Sequence, residues 1–162
     1  MLHKRTFILS IVFSLFTSYL LAEPKIVKLD ELDGNWHLRI IDGMEARIAR
    51  AILEFNSQNM TISGFDGCNK ISGTLTLVSD NNMTSKLIST KMACREPIHA
   101  YASKKLHETL VEGFSIAHTQ TNGIDGITIK SQNHELFFKK MGKETTSSWM
   151  PFNFDFDSDK TK

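Results

Sequence analysis

Two short cysteine-bearing motifs constrain this chain more than any other feature. The first reads Gly64-Phe65-Asp66-Gly67-Cys68-Asn69-Lys70-Ile71-Ser72-Gly73 and the second Ser89-Thr90-Lys91-Met92-Ala93-Cys94. They hold both cysteines of the 162 residues, so an internal covalent tie would join them and close a loop of about 25 residues. Whether such a tie forms depends on the compartment, and the N-terminus bears on that. His3, Lys4 and Arg5 precede an apolar run from Phe7 to Leu21, and small Ala22 stands before Glu23-Pro24. That is the layout of a secretory signal peptide over residues 1–22. A membrane anchor wants roughly 20 apolar residues, whereas Ser10, Ser14, Thr17 and Ser18 interrupt this run. No cysteine ends the run, so lipid attachment is not expected. The expectation is a periplasmic protein; an uncleaved signal would leave it anchored in the inner membrane instead.

In an oxidising compartment Cys68 and Cys94 suit a structural disulfide, worth about 3–4 kcal/mol on a chain-entropy argument. Two buried free thiols remain an alternative. A redox-active pair is the least favoured reading, because such pairs sit closer together, as in Cys-x-x-Cys. The deciding quantity is the Cα separation, which spacing alone does not supply.

Loss of the leader would leave about 140 residues, one ordinary domain. Removing Lys4 and Arg5 with it takes the formal net charge from +1 to −1. A near-neutral chain has no general attraction for phosphate backbones or anionic lipid, so a nucleic-acid partner is not expected. The membrane would be met only through an uncleaved leader.

After a polar lead-in at 23–29, residues 30–141 read as one domain. Gly34–Ile41 alternates apolar and polar positions, the period of a half-buried strand, and Asp42-Gly43 is a turn signal. Further strands are expected at 51–55, 60–64, 73–78, 86–90, 114–117, 126–129 and 135–138, with turns at Ser79–Asn82, Asn122-Gly123 and Gln132-Asn133. The period changes once. Ile98, Tyr101, Ala102, Leu106, Leu110 and Val111 fall at helical spacing, with Pro97 suited to the first turn and Gly113 to the C-terminal cap. The fold class is therefore α+β: a compact antiparallel β-rich domain, a curved sheet or partial barrel, with one main helix near 97–112.

No chemistry-bearing constellation emerges. Gly64, Gly67 and Gly73 match neither phosphate-loop nor dinucleotide spacing, and read instead as positive-φ or close-approach positions, with Asn69 as a turn residue. His99 and His107 lie eight residues apart on the expected helix, too far for a one-turn pair, and no metal site or cofactor is expected. There is no Gly-x-Ser-x-Gly elbow; a Ser, His and Asp could still meet by chance. Asn82-Met83-Thr84 is a glycosylation sequon in an expected turn, with Asp80 two residues upstream. From residue 142 to 162 the chain changes character. Trp149, Phe152, Phe154 and Phe156 alternate in part with acids, which suits a terminus folding back on the domain or a peptide adding a strand to a partner.

Trp36 after Gly34-Asn35, the Gly67-Cys68-Asn69 motif with Gly73 beyond it, and the run through Thr90, Met92, Ala93 and Cys94 resemble the META domain of HslJ-like proteins. The order of the motifs and the helix after the second cysteine match as well, over roughly residues 30–140. Ile71 stands where an aromatic is common and Lys91 where Arg is common. The resemblance implies a small β-dominated domain, commonly exported or lipid-anchored in bacteria. It also implies links to heat-shock response, novobiocin resistance and secretion or motility, without an established enzymatic reaction. The functional expectation is a non-enzymatic envelope protein that binds another envelope component in stress tolerance or assembly. The alternative is a module holding a small apolar ligand or lipid in a cavity under the curved sheet.

Overall fold

The computed structural model describes residues 25–142. The leader expected at 1–22 and the tail residues Trp149, Phe152, Phe154 and Phe156 lie outside the described residues. Strands β1 (Lys25–Ile26), β2 (Gly34–Ile41), β3 (Met44–Glu45), β4 (Ile52–Asn56), β5 (Thr61–Phe65), β6 (Lys70–Ser79) and β7 (Asn82–Ser89) come first. Helix α1 (Pro97–Glu112) follows, and then β8 (Phe114–Thr121), β9 (Ile124–Lys130) and β10 (Glu135–Lys140). The α+β class and, among the described residues, the one long helix match the reading of the sequence.

Every pairing is antiparallel, and the sheet closes on itself. The order β2-β4-β5-β6-β7-β8-β9-β10 returns to β2, because β10 pairs with both β9 and β2 and β8 pairs with both β7 and β9. The curved sheet is thus a barrel with a weak seam. β7 and β8 share only Asn82↔Ser115 and Met83↔Phe114 before they diverge. The helix fills that divergence. Thr84 Oγ1 donates to the Val111 carbonyl at 3.0 Å and Ser85 Oγ to the Leu110 carbonyl at 2.8 Å. These are carbonyls of the last helical turn, which have no intrahelical donor, so the same two bonds cap the helix and join it to β7.

Alternation explains which side chains fill the barrel. Trp36, Leu38, Leu53, Phe55, Ile62, Ile71, Ile116, Ile127, Ile129 and Phe138 point inward from successive strands, and Ala102, Leu106 and Leu110 of α1 join them. Val111, placed on the core face by its spacing, is instead half exposed, because it sits at the helix end over the seam. Burying each large apolar side chain stabilises by about 1.5–3 kcal/mol relative to exposure. Asp42-Gly43 and Asn122-Gly123 both take positive φ at both positions, the requirement of a tight hairpin between right-twisted strands.

Strands β1 and β3 add to those expected, β8, β9 and β10 run longer than their apolar cores suggest, and three further boundaries move for local reasons. Met60 adopts φ 51° in the connection before β5 rather than opening that strand. β6 begins at Lys70, inside the first motif, because its first residues pair with the end of β5. Asn82 is the first residue of β7 rather than a turn residue, since it pairs with both Ser79 and Ser115.

Candidate functional site

The two cysteine motifs meet at one end of the barrel. The first runs off β5 into β6, the second off β7 towards α1, and β6–β7 pairing sets them side by side. Cys68 and Cys94 form a disulfide with Cα atoms 4.9 Å apart, within bridging range. Cys68 is buried while Cys94 lies at the surface.

Hydrogen bonds tie the same segments. Asn69 Oδ1 accepts from the Met92 amide at 2.7 Å, the Thr90 amide donates to the Lys70 carbonyl at 3.0 Å, and the Lys70 amide donates to the Thr90 hydroxyl at 3.1 Å. Asn69 therefore bridges to a segment 23 residues away and does not merely serve its own turn. Gly64 lies so close to β4 that a Cβ would overlap the Ile52 carbonyl, and Gly67 takes φ 102°. Gly73 faces Ile62 and Leu87 across β6, Trp36 is buried on β2, and Ala93 lies exposed in the second motif.

The centre of the knot is Asp66, whose link to the helix has no local sequence signal. It is fully buried. Its Oδ1 accepts from the amides of Cys68 at 2.8 Å and Asn69 at 2.6 Å. Its Oδ2 accepts from Ser103 Oγ at 2.8 Å and faces His107 Nε2 at 3.1 Å, both on α1. Burial alone would push its pKa up. The hydrogen bonds from His107, the Asn69 and Cys68 amides and Ser103 outweigh that and hold it below the usual carboxylate value. A Ser, a His and an Asp do meet here, but both partners converge on one carboxylate oxygen. Ser103 does not donate to His107, and the acid they share has no access to solvent, so the grouping orients the helix against the motif loop.

Outside this knot lies an open cleft of about 360 Å³. Ile48 and Arg50 border it from the 3₁₀ turn Arg47–Ala49 and its cap, Phe65 from the end of β5, Met92 from the second motif, and Arg95 and Glu96 from the residues between that motif and α1. Arg50 is held at φ 55° by that cap. Ile48 and Met92 are 67% and 57% exposed. Among the described residues neither the Arg50 nor the Arg95 side chain has a hydrogen-bond or ion-pair partner. On β2, His37, opposite Ile52, has its pKa lowered, first by burial and then by the charges of Arg39 and Arg47, against the opposing charge of Glu45.

A second polar cluster joins the β9–β10 connection to the helix. His134 lies between Asp42 at 2.9 Å and Glu108 at 3.3 Å, with Lys105 Nζ 3.1 Å from its Nε2. The hydrogen bond from Lys105 lowers the Glu108 pKa against the opposing effect of burial, with the charges of Lys105, Lys104 and His134 adding to the lowering. Among the described residues no group of three or more His, Cys, Asp or Glu is placed to hold a metal ion, and no helix is long and apolar enough to cross a membrane. Asn82 is exposed, as a modification site requires, but the hydroxyl of its sequon Thr84 is engaged with the helix end.

Comparisons with known proteins agree with this architecture. The META domain profile matches residues 28–143. A structure determined by NMR is 25% identical, covers 71% of this chain and 96% of its own, and superposes with a TM-score of 0.57. A second NMR structure, of a protein from Burkholderia xenovorans, is 20% identical, covers 78% of this chain and 97% of its own, and gives a TM-score of 0.55. No curated protein matches the chain.

Proposed function

Because this chain belongs to the META domain family, we propose that it is a non-enzymatic exported protein that binds another component of the cell envelope, in stress tolerance or envelope assembly, through the cleft beside its disulfide. The observation that carries the reading is the contrast between a filled barrel and that cleft. Leu38, Leu53, Phe114 and Phe138 are at most 1% exposed in the interior. The cleft presents exposed Ile48 and Met92 with unpartnered Arg50 and Arg95 on loops fixed by a disulfide and by Asp66. A rigid surface with apolar and cationic groups is suited to recognition, since little conformational entropy is lost when a partner is bound. Export rests on the leader-like residues 1–22 and fits the Cys68–Cys94 disulfide.

A ligand held under the sheet would need space that the core side chains occupy, so the surface reading is preferred to an internal apolar cavity. Catalysis gains no support from Ser103, His107 and Asp66, whose contacts are those of a structural tie. The test is affinity capture from envelope extracts with the mature chain and with Met92→Asp as baits. A component retained by the first and lost with the second is the expected result. Identical capture by both baits removes the cleft from the proposal. N-terminal sequencing of the native protein should begin at Glu23; a sequence that still contains the apolar run would remove cleavage.

A further inference from the structure

We propose that the cleft beside the disulfide is a binding site for a small organic anion, a carboxylate or phosphate ester carrying a short apolar body. The inference rests on the binding reading above and names the chemistry of what is bound. Three observations lead to it. The first is size: about 360 Å³ lies at the lower end of the range for small-molecule sites, enough for a compact ligand and too little for a folded element.

The second is charge. Arg50 and Arg95 both line the cleft, one from the cap of the 3₁₀ turn and one from the segment entering α1. Both guanidinium groups lack an acidic partner among the described residues. A guanidinium presents a fork of donors that matches a carboxylate or phosphate. Glu96 also borders the cleft and has no side-chain capping bond, so the three ionised groups leave one net positive charge. One anionic head fits that balance, and Glu96 disfavours a second.

The third is the apolar wall. Ile48 and Met92 are exposed, Phe65 is half-buried, and together they border the same space as the arginines. An inorganic anion would leave that wall in water, whereas a hydrocarbon or aromatic body would cover it. Methionine adapts its shape to the body it meets, so the wall tolerates variation in that body more than in the head.

The experiment uses the full mature chain, disulfide intact, titrated with decanoate below its micelle concentration and followed by amide NMR shifts. Decanol, decyltrimethylammonium and inorganic phosphate are the comparison probes. Decanoate should give saturable shifts at Gly67, Ala93 and Arg95, and each comparison probe should bind at least about tenfold more weakly. The variant Arg50→Ala/Arg95→Ala should lose at least tenfold for decanoate and leave the response to decanol unchanged. Both arginines are exposed and unpartnered, so the variant should keep its fold, which the shifts of the core amides report. Equal binding of decanol and decanoate, unchanged decanoate binding in the variant, or no saturable shifts would each overturn the anion site. If decanoate fails while Met92→Asp still abolishes capture of an envelope component, the ligand class falls and the binding reading stands. If both fail, both fall.

Discussion

Replacing Asp66 probes the motif knot most directly. In Asp66→Ala the Cys68 and Asn69 amides lose their acceptor in a site closed to water, and Ser103 and His107 lose theirs at its edge. A buried donor left unpaired costs about 1–3 kcal/mol. Ser103 and His107 are partly accessible and can turn to water, so the two amides dominate, and the sum is about 3–5 kcal/mol. Asp66→Asn separates the causes. Its side-chain oxygen can still accept both amides, while its amide nitrogen faces a hydroxyl and an imidazole that can each turn to accept. Only the charge assistance is lost, about 1–2 kcal/mol.

Urea unfolding of the oxidised protein at neutral pH reads both numbers. With a slope of about 1.5 kcal/mol/M, the midpoint should fall by about 2–3 M for the alanine and about 1 M for the asparagine. An alanine variant within about 0.5 kcal/mol of the parent, or an asparagine variant less stable than the alanine, would refute the assignment of the carboxylate as the centre of the knot.

The remaining predictions concern the same end of the barrel. The folded pKa of Asp66 is depressed, so its contribution is complete above the unfolded carboxylate value near 3.9 and disappears as pH falls through the lower folded value. Acid unfolding of the parent should therefore have a component between those values that Asp66→Asn lacks. Opening the disulfide by Cys68→Ser/Cys94→Ser should cost about 3.5 kcal/mol for a separation of 26 residues, read as the difference between oxidised parent and variant; an unchanged midpoint would mean that the staple adds nothing to the hydrogen bonds beside it. Gly64→Ala should cost roughly 2–3 kcal/mol, because its Cβ meets the Ile52 carbonyl and β4 cannot move without parting from β2. Thermal melts of the alanine variant check that figure, and a shift below about 2 °C would contradict it.

Local signals made much of this fold legible. Pro97 and Gly113 bracket the helix where the structure has it, and the Asp42-Gly43 and Asn122-Gly123 pairs mark hairpins by the positive φ that they adopt. Those elements depend on neighbours in the chain, which a sequence displays. Closure of the barrel depends on β10 meeting β2 about a hundred residues away, and alternation in each strand is the same in an open sheet. Met60 was harder to place, because a left-handed methionine carries no compositional mark and its apolar side chain reads as strand.

The site divides in the same way. The cysteine pair and the glycines stood out by type and spacing. Asp66 did not, because its partners Ser103 and His107 lie 37 and 41 residues further on, across a helix whose docking angle no period encodes. Arg50 and Arg95 were equally silent. An arginine becomes informative when it is seen to lack a partner, and that is a property of the folded surface.

The seam between β7 and β8 has a consequence for solubility. Past Met83, β7 runs on to Ser89 without a second strand beside it, and an unpaired strand edge is a template for intermolecular pairing. In the native fold α1 stands along the start of that stretch, held by Thr84 and Ser85, and Lys86 adds a charge to it. The helix is then a guard as well as a wall, because it covers the start of an edge that would otherwise stand open to pairing.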